Sequence, residues 1–303
     1  MQPEAGSAAA RTALFFALAV FTAWYVTAVI GAWRRKRAEA GAAAVTPTAA
    51  GLGTGFVTNF FDTLGIGSFA PTTAILRALR LLPDEHIPGT LNVGHCLPVI
   101  LQSYIFTAIV PVEMRTLIPM IAAAVAGAWL GAGVVSGLPR RQIRLGMGLC
   151  LVAAASFMTA TQLQLLPEGG TALGLGGIRL SIAIAGNFLL GALMTLGIGL
   201  YAPCMVLISL LGMNVIAAYP IMMGSCAFLQ PVSSARFTRT GAFSFRVAIG
   251  LTLGGIPAVL VAAPLVESMS LYVLRWVVVV VVLSTAVSLL LAARRELAVE
   301  RAG

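Results

Sequence analysis

The chain predicts an all-α, polytopic membrane fold. Two inverted-topology repeats, each a broken-helix hairpin plus three transmembrane helices, are expected behind one extra N-terminal helix. Three observations carry this. Of 303 residues, 59% are apolar and 10% charged, and mean hydropathy is +0.98, whereas soluble domains carry about a quarter charged residues. Several apolar runs reach the ~18 residues that cross a bilayer as a helix, and helices satisfy their backbone internally in hydrocarbon. Finally, "TLGIG" is written twice, at Thr63–Gly67 and Thr195–Gly199, within "TLGIGSFAP" and "TLGIGLYAP".

Taken in order, the first apolar run is Thr12–Ala32, followed by "RRKR" at Arg34–Arg37. Its length and the position of its basic cluster argue for a retained span rather than a cleaved leader. Residues 1–48 therefore form an N-terminal helix and linker. Repeat one is expected over 49–166, with its hairpin tip at 63–71 and spans near 88–110, 116–137 and 145–166. Repeat two is expected over 180–293, with its tip at 195–203 and spans near 214–235, 247–266 and 271–293. The offset between tips is 132 residues, and it persists with small slips. "NVGHC" (Asn92–Cys96) aligns with "MMGSC" (Met222–Cys226), so His95 pairs with Ser225 and Cys96 with Cys226.

Three spans per repeat reverse the orientation of the second, and the loop charges follow. In repeat one the loops hold Arg77 and Arg80, then Arg115, then Arg140, Arg141 and Arg144. In repeat two they hold no base, then Arg236, Arg239 and Arg246, then Arg275. This topology puts 15 of the 19 basic residues inside, leaving Arg11, Arg115, Arg179 and Arg275 outside, as the positive-inside rule requires. The N-terminus is expected outside and the C-terminus inside. The net charge of +9 is thereby explained by membrane topology, and nucleic acid is not an expected partner; membrane lipid is.

Each broken stretch must then enter and leave on one side. A limb of about 13 residues reaches roughly 20 Å, so the two tips can meet near the midplane. Glycine permits the positive-φ turn, and Pro71 and Pro203 suit the first turn of an outgoing half-helix. The exposed N–H groups there favour an anion. Inverted repeats with discontinuous helices at the midplane characterise secondary transporters.

Chemistry inside the membrane concentrates on few residues. Asp62 and His95 are ionisable residues within spans, which makes them functional candidates by default; both are read as proton-coupling groups. Neutral donors for an anion are Thr63, Ser68, Thr90, Asn92 and Cys96 in repeat one, with Gly65 and Gly67 shaping the tip. Their counterparts in repeat two are Thr195, Tyr201, Cys204, Ser225 and Cys226, with Gly197 and Gly199. Hydroxyls and thiols donate without fixed charge. Thr72 and Thr73 are further donors, and Gln102 and Gln230 either line the path or bond between helices. The four cysteines, Cys150 included, lack C-x-x-C spacing, and no nucleotide loop or zinc motif is present. No metal or cofactor is expected.

"FFDTLGIGSFAPTTA" (Phe60–Ala74), "IPGTLNVGH" (Ile87–His95) and the second-half "TLGIGLYAP" with "MGSC" resemble the TauE/SafE sulfite exporter family. The resemblance runs from about residue 49 onward, although the second half lacks equivalents of Asp62 and "IPGT". It implies a permease of two inverted halves in a bacterial cytoplasmic membrane, moving sulfite, an organosulfonate or a related sulfur anion. A passive anion channel would share the fold. An intramembrane enzyme using Cys96 and His95 is disfavoured, because adjacent helical residues point about 100° apart and the pair needs mutual contact.

Overall fold

The computed structural model describes residues 2–83, 86–135, 170–194, 199–268 and 270–300, with scattered positions between 145 and 165. Ten long or half-length helices are traced among them, and no strand. They are α1 (Gln2–Ala40), α2 (Ala49–Thr63), α3 (Phe69–Ala78), α4 (Ile87–Ile109), α5 (Met114–Val135), α6 (Gly177–Met194), α7 (Tyr201–Leu210), α8 (Ala218–Thr240), α9 (Phe245–Ser268) and α10 (Leu271–Glu300). Five stretches are long and apolar enough to cross a membrane: Ala8–Ala40, Ile87–Ile109, Gly177–Met194, Val215–Thr240 and Phe245–Ser268.

The boundaries agree closely with the apolar runs for α4, α5 and α9. The first helix departs: α1 continues through "RRKR" to Ala40, because long basic side chains do not end a helix whose backbone bonds remain satisfied. Part of the expected linker is therefore helical. The remainder is a short 3-10 turn at Ala42–Ala44 leading to Thr48, whose hydroxyl caps α2 by accepting from the Gly51 N–H at 3.0 Å. The expected span 145–166 falls mostly outside the described residues, as does the second tip from 195 to 198.

The first expected interruption is present, and the second is described only at its flanks. After α2 the chain turns through Gly65 (φ 96°) and Gly67 (φ 83°) and restarts as the ten-residue α3. After α6 it restarts as the ten-residue α7. Pro71 and Pro203 stand at the third position of their half-helices, where a missing N–H breaks no bond.

At the centre α4 packs on α8; α2 lies along α9, and α6 along α5. The last two pairs are close enough that glycine is required. A Cβ on Gly55 would stand 2.6 Å from Leu251 Cα, and one on Gly254 would stand 2.8 Å from the Phe56 N and closer still to the Leu52 carbonyl. Gly127 and Gly191 lie as tightly against the backbone of Phe188 and Ala124. Small residues permit such approach in lipid, where packing rather than the hydrophobic effect joins helices. Gly254→Val is accordingly expected to separate α9 from α2 and lower the detergent-solubilised melting temperature by several degrees. Thermal unfolding by tryptophan fluorescence, with Gly53→Val as the unhindered control, checks it; a Cβ at Gly53 meets nothing within 4 Å.

The large apolar side chains Phe16, Trp129, Ile178, Leu189, Leu260 and Val280 are exposed, while Asn59, Asp62, His95, Gln102 and Asn187 are buried. That inversion of a soluble protein's surface fits helices solvated by lipid.

Loops sort into two groups. The end of α1, the 42–48 linker, the start of α4 and the α8–α9 turn meet, with Ala32, Val45, Val93, Phe243 and Phe245 in one cluster. Hydrogen bonds add to it: Ser244 N–H to Thr90 Oγ1 at 3.0 Å and Arg246 Nε to the Thr46 carbonyl at 3.3 Å. The other group joins Glu113 N–H to the Leu173 carbonyl at 2.9 Å and Asn214 N–H to the Ala172 carbonyl at 2.8 Å.

Candidate functional site

Helix α2 is amphipathic in the sense opposite to a soluble helix. Its buried residues are Gly51, Thr54, Gly55, Thr58, Asn59, Asp62 and Thr63, spaced three and four apart on one face. Leu52, Phe56, Val57 and Phe61 are exposed. The polar stripe thus points into the protein at helical period, and its last turn carries Asn59, Asp62 and Thr63 to the tip.

Two hydrogen-bonded groups grow from this turn. In the first, Asn59 Nδ2 donates to the Gly55 carbonyl at 2.7 Å, and Asn59 Oδ1 lies 3.1 Å from His95 Nδ1 on α4. The other ring nitrogen, Nε2, lies 3.0 Å from Thr72 Oγ1 on α3, and Phe69 packs beside the ring with centroids 6.1 Å apart. In the second, Gln102 Nε2 donates to Asp62 Oδ2 at 2.9 Å and to Thr63 Oγ1 at 3.1 Å. Tyr201, the first residue of α7, donates its hydroxyl to Gln102 Oε1 at 3.0 Å.

The orientation of Gln102 follows from its neighbours. The Thr63 hydroxyl spends its hydrogen on the Asn59 carbonyl at 2.8 Å, so it accepts from Gln102, and the opposite oxygen must then receive the Tyr201 proton. Asp62 also faces the hydroxyl and backbone N–H of Ser68 at the start of α3. Its carboxylate therefore sits at the N-terminal end of its own hairpin's second limb. The helix N-terminus that the sequence reserves for a guest is, at the first tip, faced by the Asp62 side chain.

The two hairpins touch. A Cβ on Gly65 would collide with the Met205 methyl of α7 and stand 3.1 Å from the Tyr219 hydroxyl. Tyr219 on α8 donates to the Leu64 carbonyl at 2.9 Å. Gly67 lies against Tyr201, 3.8 Å from its Cβ.

On the repeat-two side, Cys226 donates to the Met194 thioether at 3.6 Å. Ser225 accepts from Asn187 Nδ2 at 2.9 Å, and the same amide donates to the Met120 carbonyl at 2.7 Å. Asn187 Oδ1 has no partner among the described residues. A Cβ placed on Gly199 meets nothing within 4 Å among the described residues.

The structure thus gathers Asp62, Thr63, Gly65, Gly67, Ser68, His95 and Tyr201 around the first tip, with Cys204 and Cys226 close by. Thr90 and Asn92 are elsewhere. Thr90 bonds the His86 carbonyl and the Ser244 N–H. Asn92 bonds the Pro88 carbonyl, and its own carbonyl accepts from Ser234 at 3.0 Å. The Thr90 hydroxyl thus joins α4 to the α8–α9 turn and the Asn92 side chain bonds within α4, so neither is brought to the first tip. Cys96 shares a hydrogen bond with Tyr25 of α1, turned from the His95 partners as the 100° step requires. Thr195 and Gly197, like Cys150, lie outside the described residues.

Asn59 and Asn187 were not singled out from the sequence, and Gln102 was left between two roles. The available signal was their cost: an amide inside an apolar span needs a partner. Among the described residues no group of three or more His, Cys, Asp or Glu is placed to hold a metal ion.

An almost wholly helical chain with five membrane-length apolar helices and a buried polar centre is the class of protein defined here. No family model, curated protein or solved structure matches the chain.

Proposed function

We propose that the protein is a secondary transporter that carries a small sulfur-containing anion, such as sulfite or an organosulfonate, by alternating access between two inverted repeats. The observation that carries this reading is the junction at the first tip. There a buried carboxylate, reached by the neutral donors Gln102 and Ser68, is linked through Tyr201 to the second hairpin's half-helix. The TauE/SafE resemblance supplies the sulfur oxyanion class.

Two further features support the repeat reading. Exchange α2 with α6, α3 with α7, α4 with α8 and α5 with α9, and the packing pairs map onto one another: α2–α9 becomes α6–α5, α4–α9 becomes α8–α5, and α4–α8 maps onto itself. Each first limb also bonds an amide to the residue before the central cysteine, Asn59 to His95 and, one turn out of register, Asn187 to Ser225. The loop grouping agrees with the charge-derived topology, since Arg34–Arg37, Arg239 and Arg246 belong to the loop group at one end and Arg115 and Arg179 border the loops of the other.

The site holds room for one negative charge. While Asp62 is ionised it fills the α3 end, and a guest anion there faces like charge. Protonating Asp62 removes that charge and lets the anion take its place, so proton and anion bind together. In proteoliposomes, sulfite, thiosulfate, sulfoacetate or taurine is expected to accumulate uphill under an imposed proton gradient, with sulfate and carboxylate analogues at least tenfold slower. Flux that only ever runs downhill would instead favour the channel reading, and no flux for any of these solutes would end the transport reading.

A further inference from the structure

His95 is one of two histidines in the chain, and its surroundings determine more than its position. Asn59 cannot be flipped, because its Nδ2 must donate to the Gly55 carbonyl at 2.7 Å. The atom presented to the imidazole is therefore the amide oxygen, which only accepts. Nδ1, 3.1 Å away, must carry a hydrogen. This holds whether the ring is neutral or cationic, so Nδ1 does not exchange in either direction.

Nε2 faces a different partner. The Thr72 hydroxyl at 3.0 Å can donate or accept by rotating. With the ring neutral, Thr72 donates to the Nε2 lone pair. When Nε2 takes a proton, it donates to Thr72 Oγ1 instead, and the threonine hydrogen is free to turn toward the Ser68 carbonyl. That carbonyl already accepts the Thr72 backbone N–H at 3.0 Å, and threonine hydroxyls in helices commonly reach the carbonyl four residues back.

We propose that Asn59 is a positioning residue that holds His95 in the Nδ1–H tautomer, making Nε2, which faces Thr72 of α3, its single proton-exchanging atom. Asn59 thus acts as the orienting member of the pair, with no contact to a guest required. The tautomer follows from α2, α3 and α4 alone; only its use in coupling rests on the transport reading. Around the ring, α2 presents Asn59 with Asp62 one turn on, α3 presents Phe69 and Thr72, and α4 itself carries Cys96 as the adjacent residue.

The test is nitrogen NMR on full-length protein labelled with [15N]histidine in lipid bilayers, with His86→Gln used to assign the two rings. The expected spectrum of neutral His95 has Nδ1 in the protonated range and Nε2 in the unprotonated range. Asn59→Leu is expected to move the majority of the signal to the opposite tautomer, and Thr72→Val to keep the Nδ1–H form while shifting the Nε2 resonance. A wild-type His95 with hydrogen on Nε2 and a bare Nδ1 overturns the proposal without any variant being needed. An Asn59→Leu protein that folds and keeps the wild-type tautomer overturns the role of Asn59. Either result is read independently of whether any anion is transported.

Discussion

Asp62→Asn is expected to make anion binding independent of pH while abolishing proton-driven accumulation. On the proposed reading, the charge at the start of α3 belongs either to Asp62 or to the guest, so binding one anion takes up one proton. Linkage then requires the apparent Kd to rise by up to about tenfold per pH unit on the alkaline side of the Asp62 titration. Asparagine keeps the size and the hydrogen-bonding oxygen for Gln102 and Ser68 but holds no charge at any pH. The variant should bind at high pH as tightly as the wild type does at low pH, and exchange anions downhill without a proton requirement. Ligand-induced thermal shifts measured across a pH series, with counterflow in proteoliposomes, provide the readout. An unchanged pH slope in the asparagine protein would remove Asp62 from the coupling.

Gly65→Ala is expected to reduce transport by at least a hundredfold with the protein still inserted. Two penalties combine at this residue. Its φ of 96° is a conformation that side-chain-bearing residues adopt only at a cost of about 1–2 kcal/mol. The added methyl would also run into Met205 and press on the Tyr219 hydroxyl, which bonds the adjacent Leu64 carbonyl. The collision is with the flexible end of Met205, so Met205→Ala in the same chain should recover part of the lost flux. Gly199→Ala is the natural contrast: its Cβ meets nothing within 4 Å among the described residues, and near-normal flux is expected. Equal losses at Gly65 and Gly199, unrelieved by Met205→Ala, would show that the junction between tip and half-helix is misread.

That asymmetry between two copies of one pentapeptide marks the limit of sequence reading. "TLGIG" marks two interruptions: at the first the chain turns through Gly65 and Gly67, because a glycine pair and a following proline act locally on the backbone, while residues 195–198 of the second lie outside the described residues. What each glycine touches depends on the neighbouring hairpin. Likewise Asp62, Thr63 and Ser68 belong together because they flank one turn, and chain proximity makes that legible. Thr90 and Asn92 are as polar and as near His95 in sequence, yet they bond the α8–α9 turn and α8. The difference is azimuth around α4, and periodicity reports azimuth without saying which helix stands opposite.

The amino-acid sequence by itself determined the membrane class, the main apolar spans and the clustering of basic residues toward span ends, because bilayer thickness and the cost of burying charge act on each segment separately. Only the tertiary structure decided that Asp62 faces its own hairpin's half-helix, that Gln102 joins the two hairpins, and that Asn59 governs His95. Those pairings depend on how helices from distant parts of the chain cross, and in close-packed lipid-embedded bundles the crossing is set by the backbone contacts that Gly55, Gly254, Gly127 and Gly191 allow.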